Sequence, residues 1–158
     1  MCVFPGLCGG AAVATLACVD GHRLIRLGAS LFVAALLIGF AIPQFAVPRL
    51  ALSAHLIGLM QGLFLMTVGL LAGRLRLGPR AARAAFALLV YGCTAALAAN
   101  LVAAATGAGH LAVPMATGDT RAAPSLEFGV MLVLRSAGVS LITATALVSW
   151  GLRHRSTS

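Results

Sequence analysis

One imidazole lies inside a long apolar stretch of this sequence. His55 falls within residues 50–73, which contain no charged residue. An ionisable side chain at membrane depth is costly unless it has a partner, so such residues are candidates for function. A neutral imidazole is a good ligand for iron, zinc or copper. His55 is therefore the first candidate for a metal-binding residue.

The residues near His55 limit the kind of metal centre that it could hold. Structural zinc needs four protein ligands, and the sequence offers no second His, Cys or carboxylate at that depth. A haem brings four ligands in its porphyrin, so one His from the protein can suffice. Gly58 and Gly62 share the helix face of His55, and this spacing lets a flat ligand or another helix approach closely. Two interpretations stay open: a cofactor-binding face, or a helix-packing seam across which His55 hydrogen-bonds.

Three further polar residues fall inside apolar segments. Helical rise places His55 and Asn100 at one level, roughly 8–9 Å from the outer ends of their helices. It places Gln61 and Arg135 at a second level, nearer the midplane. A charge such as Arg135 must find a partner in the membrane, which could be the carboxylates of a cofactor, backbone carbonyls or the headgroup region. Asn100 could hydrogen-bond between helices or contact a substrate.

The elements that must position these residues are membrane helices. The chain has 158 residues, of which 61% are hydrophobic and 9% charged, whereas soluble domains carry about 25% charged residues. We predict an all-α integral membrane four-helix bundle spanning residues 27–152, with an extension of uncertain structure (1–26) and a short tail (153–158). Four segments have the length and apolar character needed to cross a bilayer: about 27–46, 50–73, 84–106 and 126–151.

The arginines predict the orientation of the bundle. All eleven basic residues are arginines, and eight lie beyond one end of the segments, in residues 23–26, 74–83 and 153–155. By the positive-inside rule, both termini and the 74–83 connection are cytoplasmic. Because these arginines are spread over several segment ends, they do not indicate a nucleic-acid partner. Tyr91 and Trp150 are expected near the cytoplasmic boundary, where aromatic belts lie.

Several stretches of the sequence resemble bacterial hydroxylaminobenzene mutases. They are residues 47–62, which contain Ser53-Ala54-His55 and the Gln61-Gly62 pair, and residues 75–86, within a similarity that covers about 27–152. The resemblance implies a small four-helix enzyme of the bacterial inner membrane that converts an arylhydroxylamine to an ortho-aminophenol. A more distant resemblance to styrene oxide isomerase implies a trimer that binds haem b at subunit interfaces, with His55 as the axial ligand.

The sequence departs from both families at residues that the resemblance places near the substrate. Gln61 stands where the families have Asn, Asn100 stands roughly where the isomerase has its catalytic tyrosine, and Ile57 replaces the mutase's Glu. The resemblance therefore supports haem more strongly than one particular substrate. In the implied mechanism the iron acts as a Lewis acid on an N–O or C–O bond, and apolar walls exclude water. Asn100 and Gln61 are the predicted catalytic residues, and the predicted cofactor-binding set is His55, Gly58, Gly62 and Arg135.

Other functions remain as alternatives at this stage. One is an isomerase that converts an epoxide to an aldehyde, and another is a haem or structural membrane protein without catalytic activity. An electron-transfer subunit would usually bind haem between two histidines, and only His55 is deep enough. A small multidrug transporter would carry a carboxylate in its first helix, and residues 27–46 contain none.

Overall fold

The computed structural model describes residues 11–118 and 120–153, with side chains from residue 21 onward. Over these residues the chain is helical and contains no strand. The helices are α1 (Ala11–Ala41), α2 (Pro48–Leu71), α3 (Pro79–Thr106), the short α4 (Pro114–Thr117) and α5 (Pro124–Arg153). Short 3₁₀ turns, Ile42–Gln44 and Ala72–Arg74, follow α1 and α2. Four of the described helices are long and apolar enough to cross a membrane, which confirms the all-α membrane fold.

The first helix begins earlier than the sequence predicts. Residues 11–26 were expected to belong to an extension, but they form the first half of α1. From Ala11 the sequence runs to Gly21 without Pro or Gly, so nothing in it interrupts a helix. The expectations for residues 1–10 and 154–158 lie outside the described residues.

The other long helices begin at prolines. Pro48, Pro79 and Pro124 are the first residues of α2, α3 and α5. Proline suits this position because its φ is already helical and its missing N–H would have no partner there. At the other end of α3, Gly107 has a φ of 77° and donates its N–H to the carbonyl of Ala103. Glycine adopts this left-handed conformation easily, so it ends the helix.

Helices α1 and α2 pack through their backbones. A methyl group built on Gly62 would lie 2.8 Å from the carbonyl oxygen of Gly28. One built on Gly69 would lie 2.7 Å from the carbonyl oxygen of Gly21. Small residues at these positions let two membrane helices approach closely. These four glycines form what we call the glycine seam, which fixes α1 against α2.

The remaining helices pack around a buried core. Helix α3 packs on α5, where the hydroxyl of Ser140 donates to the carbonyl of Leu88 at 3.0 Å. Helix α2 packs on α3 through buried side chains that include Leu65, Leu89 and Cys93. The resulting bundle has two ends. We call them the Pro48 end, where α2 begins, and the Arg74 end, where the α2–α3 connection lies.

A buried carboxylate holds the connection between α3 and α5. Glu127, in the first turn of α5, is only 5% exposed. Its carboxylate accepts the backbone N–H of Leu111 at 2.9 Å and that of Ala122 at 3.4 Å. Hydrogen bonds to a charged group each contribute about 1.5–3 kcal/mol. Glu127 therefore closes the Pro48 end of the bundle over the buried ends of α2 and α3.

Candidate functional site

The ring of His55 packs against the backbone of α1. Its Nδ1 atom lies 2.7 Å from the carbonyl oxygen of Ala35. A carbonyl oxygen can only accept, so Nδ1 carries the proton and donates it. In the neutral imidazole Nε2 is then the nitrogen with the lone pair, which can bind a metal. Histidines that bind metals are commonly held by such a hydrogen bond from the second ring nitrogen.

A glycine on α1 makes room for this ring. A methyl group built on Gly39 would lie 2.8 Å from both Cε1 and Nδ1 of His55. Any side chain here would therefore displace the imidazole or push the two helices apart. Gly39 was not among the predicted site residues. The available signal was a lone glycine between large apolar residues, Leu37-Ile38 before it and Phe40 after it.

The predicted glycine-lined cofactor face is filled by α1. A methyl group built on Gly58 would lie 2.7 Å from Cβ of Ala35, and Gly62 lies against the backbone of Gly28. A flat cofactor cannot lie on these two glycines while α1 is packed there. Of the two interpretations left open by the sequence, Gly58 and Gly62 therefore fit the helix-packing seam. The hydrogen bond from His55 to α1 also belongs to that interpretation.

His55 is only partly buried, and its surroundings on the protein surface are apolar. On α2, Leu52 is 47% exposed and Leu56 is 52% exposed. On α1, Leu36 is 43% exposed and Phe40 is 85% exposed. In the sequence, Leu52 and Leu56 lie on either side of His55, and Leu36 and Phe40 directly follow Ala35 and Gly39, the two α1 residues that contact the ring. The histidine thus lies at the edge of the α1–α2 pair, next to a surface suited to lipid, to an apolar ligand or to another subunit.

Gln61 carries a buried acceptor without a donor. Its Oε1 atom is buried and has no hydrogen-bond partner, and no other side-chain N or O atom among the described residues is in that state. Gln61 lies between Gly58 and Leu65 in the stripe of α2 that faces the core. Leaving a buried polar group unpaired costs about 1–3 kcal/mol, so such an atom in a native structure requires an explanation. A ligand that donates an N–H or O–H group would provide one.

Asn100 lies at the level of His55, as predicted, but it is not joined to it. A methyl group built on Gly58 would lie 3.3 Å from Cδ1 of Leu97. His55 and Asn100 are each three residues from this contact, toward the Pro48 end, so antiparallel packing puts them at one level. Asn100 is 6% exposed and its Nδ2 donates to the carbonyl of Ala96 at 2.8 Å. Within the described part of the chain no hydrogen bond links the two side chains.

Arg135 is exposed on α5, well inside the membrane-spanning length. It has no carboxylate partner among residues 21–118 and 120–153. The neighbouring Ser136 accepts a hydrogen bond from the hydroxyl of Tyr91 at 2.7 Å and donates to the carbonyl of Val133 at 2.9 Å. Tyr91 lies near the middle of α3, and Trp150 lies in the last turn of α5. Their location at the cytoplasmic boundary of the membrane stays a prediction.

The protein offers one metal-binding nitrogen at His55, which suits a cofactor whose metal is already coordinated by the cofactor itself. Among the described residues no three His, Cys, Asp or Glu side chains are close enough together to hold a metal ion. One imidazole nitrogen is available, with its tautomer fixed by Ala35. Haem needs only one or two ligands from the protein, so these residues fit it better than they fit a bare metal ion.

Comparison with known proteins decides the family. A model of the styrene oxide isomerase family matches residues 20–153. The chain belongs to this family. Among its relatives is hydroxylaminobenzene mutase HabB of Ectopseudomonas oleovorans, 41% identical over 132 residues, which are 84% of this chain and 80% of the relative. Hydroxylaminobenzene mutase HabA of the same organism is 33% identical over 129 residues, 82% of this chain and 96% of the relative.

Family membership confirms the resemblance seen in the sequence and the class of protein. The relatives are mutases and the family is named for an isomerase, so this protein is an enzyme of the isomerase and mutase type. Its four long apolar helices make it a multi-pass membrane protein. No solved structure matches the chain significantly.

Proposed function

We propose that this protein is a haem-dependent membrane mutase that converts an arylhydroxylamine to an ortho-aminophenol. The observation that carries the proposal is the hydrogen bond from Nδ1 of His55 to the carbonyl of Ala35, which leaves Nε2 available to bind the haem iron. Two mutase relatives, at 41% and 33% identity, favour a hydroxylamine over an epoxide as substrate.

His55 would hold the cofactor, haem b, at the edge of the α1–α2 pair. Helix α1 covers the face of α2 that carries Gly58 and Gly62, so a flat ligand would instead lie on the surface that includes Leu52 and Phe40, both exposed. When bound, the haem supplies a Lewis acid that weakens the N–O bond of the substrate. The apolar side chains around His55 would keep water away from the positive charge that develops on the aromatic ring.

Arg135 would pair with the carboxylates of the cofactor, since guanidinium binds carboxylate through two parallel hydrogen bonds. His55 belongs to the α1–α2 pair, whereas α5 packs chiefly on α3. In the proposed arrangement His55 and Arg135 would contact the same cofactor across an interface between two copies of the chain. This arrangement supports a homo-oligomer, and the trimer implied by the resemblance is our proposal for its size.

Gln61 and Asn100 would orient the substrate. The buried Oε1 of Gln61 has no hydrogen-bond partner and would accept one from the substrate, since an arylhydroxylamine offers both an N–H and an O–H donor. Asn100, at the level of His55, would help to place the ring carbon that receives the hydroxyl. The rearrangement is balanced in itself: the N–O bond breaks, a C–O bond forms at the ortho carbon, and the proton lost there is matched by one gained at nitrogen. It needs neither oxygen nor a reductant.

We also propose that the Arg74 end faces the cytoplasm of a bacterial inner membrane. Among the described residues seven arginines lie toward that end, and two, Arg49 and Arg121, lie toward the other. This bias fits the positive-inside rule. It would place both termini in the cytoplasm and Glu127 on the opposite side.

An absorption spectrum of the purified full-length protein tests the proposal. The wild type and a His22→Ala control, altered at an exposed histidine of α1, should both show a Soret band. Both should also convert phenylhydroxylamine to 2-aminophenol under argon without a reductant. His55→Ala should lose the band and the activity together. A full Soret band in His55→Ala would remove the axial-ligand assignment, and a strict need for oxygen would contradict a mutase.

The second candidate function is epoxide isomerisation, which the family model favours. It uses the same residues, with a C–O bond broken and a hydride shifted to give an aldehyde. Rates on styrene oxide and phenylhydroxylamine, measured on one preparation, distinguish the two functions.

A further inference from the structure

We propose that the Arg74 end of the bundle holds one acyl chain of an anionic phospholipid. The site is a pocket between the four long helices, on the far side of the molecule from His55. Its walls include Leu24 of α1, Val68 of α2, Leu89 of α3 and Val148 of α5. The proposal is independent of the haem and of the reaction.

The pocket is apolar and narrow. Of its lining residues only Arg83 is charged, and its cavity volume is about 70 Å³. The space exists because small residues, among them Gly21, Ala72 and Ala82, stand where larger side chains would fill it. A cavity this small suits a flexible hydrocarbon chain better than a rigid ring system.

The connection between α2 and α3 forms one wall of the pocket. The N–H of Arg76 donates to the carbonyl of Gly151 at 3.2 Å, which ties the connection to the end of α5. Leu77 packs closely on Gly151: a methyl group built on Gly151 would lie 2.9 Å from Cγ of Leu77. The pocket wall is thus held in place by contacts with a second helix.

Arg83 lines this pocket, and three further arginines are next in sequence to residues that line it. Arg74, Arg76, Arg80 and Arg83 are all exposed, and Nε of Arg83 donates to the carbonyl of Pro79 at 3.3 Å. Among the residues whose side chains the structure describes, seven arginines and no acidic residue lie toward this end.

The positive charge of the arginines beside the pocket indicates which ligand it would bind. Basic pockets between membrane helices at the cytoplasmic side are suited to anionic lipid headgroups. A neutral arylhydroxylamine would gain nothing from this charge, whereas a phosphate with a long apolar tail would use both parts of the site. We therefore assign the site to an anionic phospholipid and not to the substrate.

Thermal unfolding of the purified full-length protein in detergent tests the assignment. Phosphatidylglycerol should raise Tm by several degrees more than phosphatidylcholine with the same acyl chains, and inorganic phosphate should give no shift. Native mass spectrometry should show phosphatidylglycerol retained on the wild type. Equal shifts from the two lipids would overturn the proposal, and so would an equal shift from phosphate alone.

Two variants and one control locate the site. Ala82→Leu fills the pocket, and Arg80→Gln with Arg83→Gln removes charge from exposed positions without touching the core. In both variants, phosphatidylglycerol should raise Tm no more than phosphatidylcholine does. The control, Arg49→Gln with Arg121→Gln, removes two exposed arginines at the opposite end and should keep the larger shift from phosphatidylglycerol. If Ala82→Leu does not fold, the arginine pair still decides, because a selective shift that survives there would contradict the assignment.

Discussion

His55 on α2 donates from Nδ1 to the carbonyl oxygen of Ala35 on α1, at 2.7 Å. The acceptor belongs to the backbone, so replacing the side chain of Ala35 does not remove it. The orientation of the imidazole depends instead on the path of α1 and on how closely it packs against α2. The helix pair and the His55 ring are therefore one structural unit.

Gly39→Ala should reduce haem binding while leaving the fold intact. The added methyl group would lie 2.8 Å from the His55 ring, so the ring must turn and lose its hydrogen bond. We expect the dissociation constant for haem to rise by about 10- to 100-fold, the loss typical of removing an outer partner of a metal-binding histidine. Haem titration measures it. Gly138→Ala, where an added methyl group meets nothing within 4 Å, is the matched control and should bind haem normally.

Gly62→Ala should affect stability more than cofactor binding. Its methyl group would lie 2.8 Å from the carbonyl oxygen of Gly28, and overpacking of this kind costs about 1–3 kcal/mol. Unfolding in a denaturing detergent should show this loss, and Gly129→Ala on α5, with open space around it, should show none. A variant that keeps wild-type stability but no longer binds haem would restore the cofactor role that the sequence suggested for Gly62.

Gln61→Leu should separate stability from catalysis. The substitution removes the unpaired Oε1 atom, so the free energy of unfolding should stay the same or increase by about 1 kcal/mol. Loss of a hydrogen bond to the substrate should lower kcat/KM by roughly 10- to 100-fold, which corresponds to about 1.4–2.7 kcal/mol.

Two further variants complete this test. Thr67→Val on the exposed face of α2, where the hydroxyl bonds only to its own helix, is the control and should keep wild-type activity. Gln61→Asn, which introduces the residue that the families carry, should retain activity. An unchanged kcat/KM in Gln61→Leu would remove Gln61 from the site.

Arg135→Gln should weaken both haem retention and self-association. The guanidinium is exposed on α5 without a carboxylate partner in the described chain, and we assign it to cofactor carboxylates across a subunit interface. Light scattering after gel filtration, together with the ratio of haem to protein, measures both effects. Arg153→Gln, at the end of α5, should change neither. Normal haem content in a stable Arg135→Gln oligomer would refute the assignment.

Much of the architecture is predictable from the sequence because the bilayer restricts it. A crossing helix needs about 20 apolar residues, so hydropathy alone located all four long helices, and helical rise alone placed His55 level with Asn100. The starts of α1 and α3 were predicted too late, at about residues 27 and 84, because hydropathy locates the apolar part of a helix and these two helices begin before it, at Ala11 and Pro79.

The role of the glycines on α2 could not be predicted from the sequence. A small residue every fourth position admits a helix backbone and a flat ligand equally well, and only the fold shows that α1 occupies that face. Gly39 and the unpaired oxygen of Gln61 depend on contacts between residues distant in sequence. No local pattern encodes such contacts.

Glu127 holds the long connection through main-chain amides alone, those of Leu111 and Ala122. Every residue except proline offers such a donor. The side chains of this connection can therefore vary widely while the hydrogen bonds to Glu127 persist, provided that neither Leu111 nor Ala122 is replaced by proline. An epitope or a fluorophore attached at an exposed position such as Met115 should leave the bundle undisturbed and would report on which side of the bilayer the connection lies.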